Sequence, residues 1–217
     1  MDGSESSRIA RPGRGPAVPR RKLAVTIAVW AALVAGALGA AAALDTPPTA
    51  PLVSVAPEGL PPLFLYLDRD LPPEVTALGT AAAQVERLQE LAAAGDAPAR
   101  WVELGAVAQR VGELSPAKLA FDRALALAPT RLDAHVGLIM NDGATGPDGL
   151  ARATTALAAL APRFPKSQLL AFNTGIIAVY RADQPAIVAA FSRAVALDPR
   201  SPLGILARRF GGTAPNR

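Results

Sequence analysis

The side chains that carry most protein chemistry are nearly missing from this chain. It has one histidine, His135, and no cysteine. Without Cys there is no disulfide, no thiolate nucleophile, no Cys-ligated zinc or iron–sulfur cluster and no covalently attached c-type haem. His135 stands in "LDAHVGLIM", where the local sequence builds no base–nucleophile pair around it. It reads as a packed, hydrogen-bonded side chain. "NDGATGPDG", residues 141–149, mixes carboxylates and glycines as a calcium loop does, but the alternating ligand ladder and terminal glutamate are missing. It reads as a long polar surface turn. "DRD", Asp68 to Asp70, pairs two carboxylates among prolines and reads as linker solvation. No P-loop, dinucleotide fingerprint or zinc-ligand cluster occurs, so the chain is expected to be no enzyme and to hold no cofactor or metal.

What remains is recognition by surface, and charge narrows the partner. The net charge is +4. Six of the 22 basic residues (Arg8, Arg11, Arg14, Arg20, Arg21 and Lys22) and two of the 18 acidic ones precede residue 23, which leaves sixteen of each sign beyond it. The bulk of the protein is therefore neutral, and nucleic acid is not the expected partner. The basic residues 1–22 are instead the flank of "LAVTIAVWAALVAGALGAAAAL", residues 23–44, which carries no charge. As a helix it would span about 33 Å, enough for a hydrocarbon core of about 30 Å. Positive residues before it place the N-terminus in the cytoplasm and the rest outside. The expectation is a single-pass signal-anchor in the cytoplasmic membrane of a bacterium, in contact with lipid through 23–44. A cleaved signal peptide ending in "GAAAALD" is the rival, and a twin-arginine signal at Arg20–Arg21 a third reading. All three export the remaining chain.

The positioning elements come next. Eight prolines between 45 and 73 remove backbone donors and predict an extended, semi-rigid linker. Inside it "LFLYL", residues 63–67, is an apolar run that needs a dry surface. From Val75 through Leu78, Ala82, Val85, Leu88 and Leu91 the spacing predicts one amphipathic helix over 74–94, with Gly95 at its end. Then "FDRALALAP", residues 121–129, returns seventy positions later as "FSRAVALDP", residues 191–199.

Counted from Pro98 in a frame of 34, Trp101, Leu104, Gly105, Ala117, Phe121, Ala124 and Pro129 fall at positions 4, 7, 8, 20, 24, 27 and 32. This resembles the tetratricopeptide repeat, a pair of antiparallel helices stacked into a right-handed solenoid. Position 11 departs from it, with Ala108 for the usual tyrosine. In the last copy Gly175, Phe191, Ala194 and Pro199 match, while Ile187 at position 20 and Ala171 at position 4 exchange large for small. That exchange is expected to conserve core volume roughly. A degenerate copy must lie between. The resemblance implies an all-α chain: an N-terminal transmembrane helix, then a short helical solenoid over 74–210 with repeats at about 98–131, 132–167 and 168–201, and a tail at 211–217.

In that family the first helices line a concave groove at positions 2, 5, 9, 12 and 13. Carried over, these are Ala99, Val102, Ala106, Gln109 and Arg110, then Asp133, Val136 and Met140, then Leu169, Phe172, Ile176, Val179 and Tyr180. The lysine and asparagine that clamp a carboxylate in some members are absent at positions 5 and 9. The resemblance thus implies a largely apolar groove for a protein or peptide partner. Alternatively those side chains pack on a neighbouring helix or on a second copy, making a homo-oligomer. Two functions follow: a membrane-tethered interaction scaffold on the extracytoplasmic side, or a maturation factor holding an exported client. "VERLQELAAAGDAPARWVELGAVAQRVGEL" is similar in style to the exported repeat domains of bacterial cytochrome c assembly proteins. "LFLYL" is expected to dock on the repeat domain, in the groove or against the 74–94 helix. The membrane interface is its other destination.

Overall fold

Proline and glycine cut this chain into short helices, and the cuts decide which faces meet. The computed structural model describes residues 61–95 and 97–212, which fall within one compact unit, Thr49–Arg217. Among the described residues the protein is all-α. The helices are α1 (Pro73–Thr76), α2 (Ala81–Gly95), α3 (Pro98–Arg110), α4 (Leu114–Leu127), α5 (Leu132–Gly143), α6 (Pro147–Leu160), α7 (Gln168–Tyr180), α8 (Gln184–Leu197) and α9 (Pro202–Arg209). The basic tail, the apolar run 23–44 and the linker up to residue 60 lie outside the described residues, and the membrane anchor with them. No described helix is long and apolar enough to cross a membrane.

The helices pack in pairs, α3 with α4, α5 with α6 and α7 with α8, and each pair rests on the next. The first helices α3, α5 and α7 also touch in succession, α2 covers α3, and α9 closes on α8 and α7. Proline opens α3, α6 and α9 at the first turn, where its missing N–H leaves no bond unmade. Ser167, Asp183 and Ser201 cap α7, α8 and α9 through their side-chain oxygens.

The seventy-residue echo is structural as well as textual. In the first turn Gly112 N–H donates to Gln109 O at 3.1 Å and Glu113 N–H to Ala108 O at 3.0 Å. In the third, Ala182 N–H donates to Val179 O at 3.0 Å and Asp183 N–H to Ala178 O at 3.1 Å. Both turns need a left-handed residue, Gly112 at φ 83° and Ala182 at φ 53°. Glycine enters that region freely, whereas alanine does so at a cost.

Within a pair, glycine is required for a second reason. A Cβ on Gly105 would lie 2.6 Å from the Phe121 ring, and Gly137 of α5 faces the same ring from the next pair. Gly175 and Phe191 repeat the contact at 2.6 Å. Each phenylalanine fills the hollow that a missing side chain leaves.

Two expectations change. The helix over 74–94 is broken: α1 ends at Thr76 and α2 starts at Ala81. Thr80 restarts it by accepting the Ala83 amide at 3.3 Å, while Gln84 Nε2 holds the Leu78 carbonyl at 3.2 Å. "NDGATGPDG" is no long turn either, because α5 continues through Gly143 and only residues 144–146 connect it to α6. The extra length of the middle pair lies instead in residues 161–167, before α7. Ala171 and Ile187 pack in one apolar cluster, and a cleft of about 260 Å³ lies beside Ala171, lined by Phe164, Leu170, Ala186 and Ala190. Residues 61–72 pack against the helices, and the "LFLYL" run within them docks on the helical domain as expected. His135 is half-buried, its Nε2 2.8 Å from the Pro129 carbonyl oxygen.

Candidate functional site

Residues 61–72, with Pro61–Pro62 at one end and Pro72 at the other, are non-helical, so their carbonyls and amides need partners elsewhere. They find them on the face made by α3, α5 and α7. Leu65 N–H donates to Gln109 Oε1 at 2.7 Å. Tyr66 N–H donates to Asn173 Oδ1 at 2.9 Å, and Asn173 Nδ2 returns a bond to Tyr66 O at 2.9 Å. One amide side chain therefore satisfies both main-chain groups of an extended residue, as a neighbouring strand would. Asn173 is itself fixed by donating to Leu169 O at 2.8 Å, and Gln109 by Asn141 at 3.5 Å.

Alternation does the rest. Leu63 and Leu65 are 0% and 2% exposed and join one apolar cluster with Val102, Ala106, Val136, Met140, Leu169, Phe172 and Ile176. Burial of each leucine contributes about 1.5–3 kcal/mol. Phe64 and Tyr66, both half-buried, stack at 4.4 Å. Tyr66 then meets Phe172 at 5.0 Å, and the Arg110 guanidinium covers Phe64 at 5.4 Å. Burial, with Tyr180 adding to it and Arg110 opposing, pushes the Tyr66 phenol well above its ordinary pKa. The Tyr180 phenol is raised by burial too, with the Leu63 backbone opposing.

Past the leucines the segment carries a cation into an acidic corner. Arg69 Nη1 pairs with Asp133 Oδ2 at 2.9 Å and Arg69 Nε with Glu103 Oε1 at 3.3 Å. Those carboxylates are 8% and 3% exposed. Each has a second arginine, Arg131 on Asp133 at 2.9 Å and Arg100 on Glu103 at 2.7 Å. The guanidinium of Arg69 spans two helices in a way a point charge could not.

Of the groove residues carried over from the sequence, Val102, Ala106, Gln109, Val136, Met140, Leu169, Phe172 and Ile176 lie buried around the segment. Val179 and Tyr180 pack half-buried at its edge, and Arg110 is exposed above Phe64. Three participants escape the sequence reading. Glu103 and Asn173 are each the sixth residue of their helix, a position left out of the groove pattern. Arg69 sits inside "DRD", read as solvation. The available signal was polarity out of place, an asparagine in the apolar run "LLAFNTGII". Among the described residues no group of His, Asp or Glu could hold a metal ion. Comparison of the chain with family models, curated proteins and solved structures finds no match.

Proposed function

We propose that this chain is a tetratricopeptide-repeat adaptor, anchored by residues 23–44, that holds an extended segment of another protein on the extracytoplasmic side of a bacterial membrane. The observation that carries the reading is the pair of buried amides, Gln109 and Asn173, aimed from two first helices at the main chain of a non-helical segment. Side chains so placed recognise backbone, the mode by which a helical face grips an unfolded segment. The repeat assignment draws support from first helices that begin at Pro98, Leu132 and Gln168, the starts of the 34-residue frame and its two successors.

The reading is tested on the full chain in its own membranes. A photoreactive residue at Val179, beside the groove, should give an adduct with a defined protein, with the linked residues falling in one extended stretch. Adducts confined to residues 61–70 of the same chain, in the wild type and equally in a Leu63→Ser, Leu65→Ser variant that loosens that segment, would refute an adaptor role. Alkaline carbonate should leave the protein in the membrane, and external protease should reach its C-terminal half. Release of full-length protein by carbonate would overturn the anchor.

A further inference from the structure

Two of the four contacts that hold residues 61–70 depend little on which residues occupy them, and the fourth, Tyr66 against Phe172 at 5.0 Å, asks for an aromatic ring. The Gln109 and Asn173 bonds reach main-chain atoms that any residue except proline offers, and the leucine sites ask only for apolar bulk. The third contact is selective: Glu103 and Asp133 lie on separate helices, and one planar guanidinium three residues beyond Tyr66 bridges them. The segment joins the helices through α1 and the non-helical residues 77–80, where Gly79 has open space around it and an inserted sequence meets no packed neighbour.

We infer that the groove reads a partner segment of the pattern Leu-x-Leu-aromatic-x-x-Arg, and that residues 61–70 are its built-in competitor. The inference rests on the adaptor reading and specifies its ligand. A tethered strap has an effective concentration of about millimolar. A free segment with the same contacts therefore displaces it only near that concentration, and a partner held close by or gripping a second surface displaces it sooner. Resting chains stay closed, and stray peptides are turned away.

The probe is a labelled synthetic peptide of residues 61–73, followed by fluorescence anisotropy against two forms of the full chain. One carries Leu63→Ser and Leu65→Ser. The other keeps the native strap but has a protease site inserted at 77–80, cut after folding, so that the strap exchanges without any groove change. Both should bind the peptide at least ~100-fold more tightly than the intact chain, as loss of a millimolar tether predicts. A peptide with Arg69→Ala should bind about ten-fold more weakly, which is about 1.4 kcal/mol, and Glu103→Gln together with Asp133→Asn in the protein should erase that difference. A peptide of unrelated sequence that keeps the pattern should bind within about ten-fold of the native one.

Equal binding of the native and Arg69→Ala peptides would overturn the pattern while leaving an adaptor intact. Failure of the pattern-matched peptide would make the groove a seat for the strap alone. A dimer of the cut chain that free peptide dissolves would make a second copy the occupant, against the inference. No binding by either form would remove the adaptor reading as well.

Discussion

Replacing Leu63 and Leu65 by alanine, singly and together, measures whether residues 61–70 leave the groove as a unit. Both leucines are buried, at 0% and 2% exposure, and a buried Leu→Ala change costs about 2–5 kcal/mol when the site stays assembled. A strap that can detach imposes a ceiling on that cost. Once the accumulated loss exceeds the free energy of docking, the segment dissociates and further changes on it cost nothing. The single variants should each lose about 2–3 kcal/mol, and the double variant clearly less than their sum. Arg69→Ala, which in the wild type removes a cation from two buried carboxylates, should have no effect in the double variant. Urea titration supplies the free energies, and hydrogen exchange supplies the locus. In the double variant the Leu65 and Tyr66 amides, held by Gln109 and Asn173, should exchange freely while the amides of α4 and α8 stay protected. Full additivity, with Arg69→Ala as costly in the double variant as in the wild type, would refute a detachable strap and make the segment an ordinary part of the core. Unchanged stability in both single variants would refute the docking itself.

Other tests address the scaffold. The chain has two tyrosines, Tyr66 and Tyr180, and both phenols are raised. The unfolded phenols lose their protons near pH 10 while the folded ones keep them, so this contribution is full below about pH 10 and is lost as pH rises above it. Ultraviolet titration should show phenolate appearing later in the wild type than in the Leu63→Ser, Leu65→Ser variant; coincident curves would contradict burial of the pair. Ala182→Gly relieves a left-handed alanine and should stabilise by about 0.5–1 kcal/mol, with Gly112→Ala costing about as much, in thermal melts. Gly105→Leu drives side chain into the Phe121 ring and should cost at least about 1–3 kcal/mol, with helicity falling across the array because each pair leans on the next. A wild-type melting curve would show that the Gly105–Phe121 contact carries no weight.

What the sequence determined by itself are the relations that act over short distances. Gly105 and Phe121 are sixteen residues apart, as are Gly175 and Phe191, and a three-residue turn between two helices makes any such pair neighbours. A period of small and large residues therefore names the helix pairs and the faces they bury. The same locality misled over 74–94, where apolar spacing ran on unbroken but Thr80 offered the chain a fresh cap. It misled again over 141–149, where glycines suggested a turn that helix packing absorbed: a Cβ on Gly143 would lie only 3.0 Å from the Ile177 side chain. The groove's occupant belongs to the other kind of information. Leu65 meets Gln109 across 44 residues and Tyr66 meets Asn173 across 107. No periodicity encodes such pairs, because they exist only after three helix pairs have stacked and brought α3, α5 and α7 to one face. The run "LFLYL" announced that it must be buried. Only the assembled face decided where, since it alone brings dry volume, two buried amide side chains and two paired carboxylates to one surface.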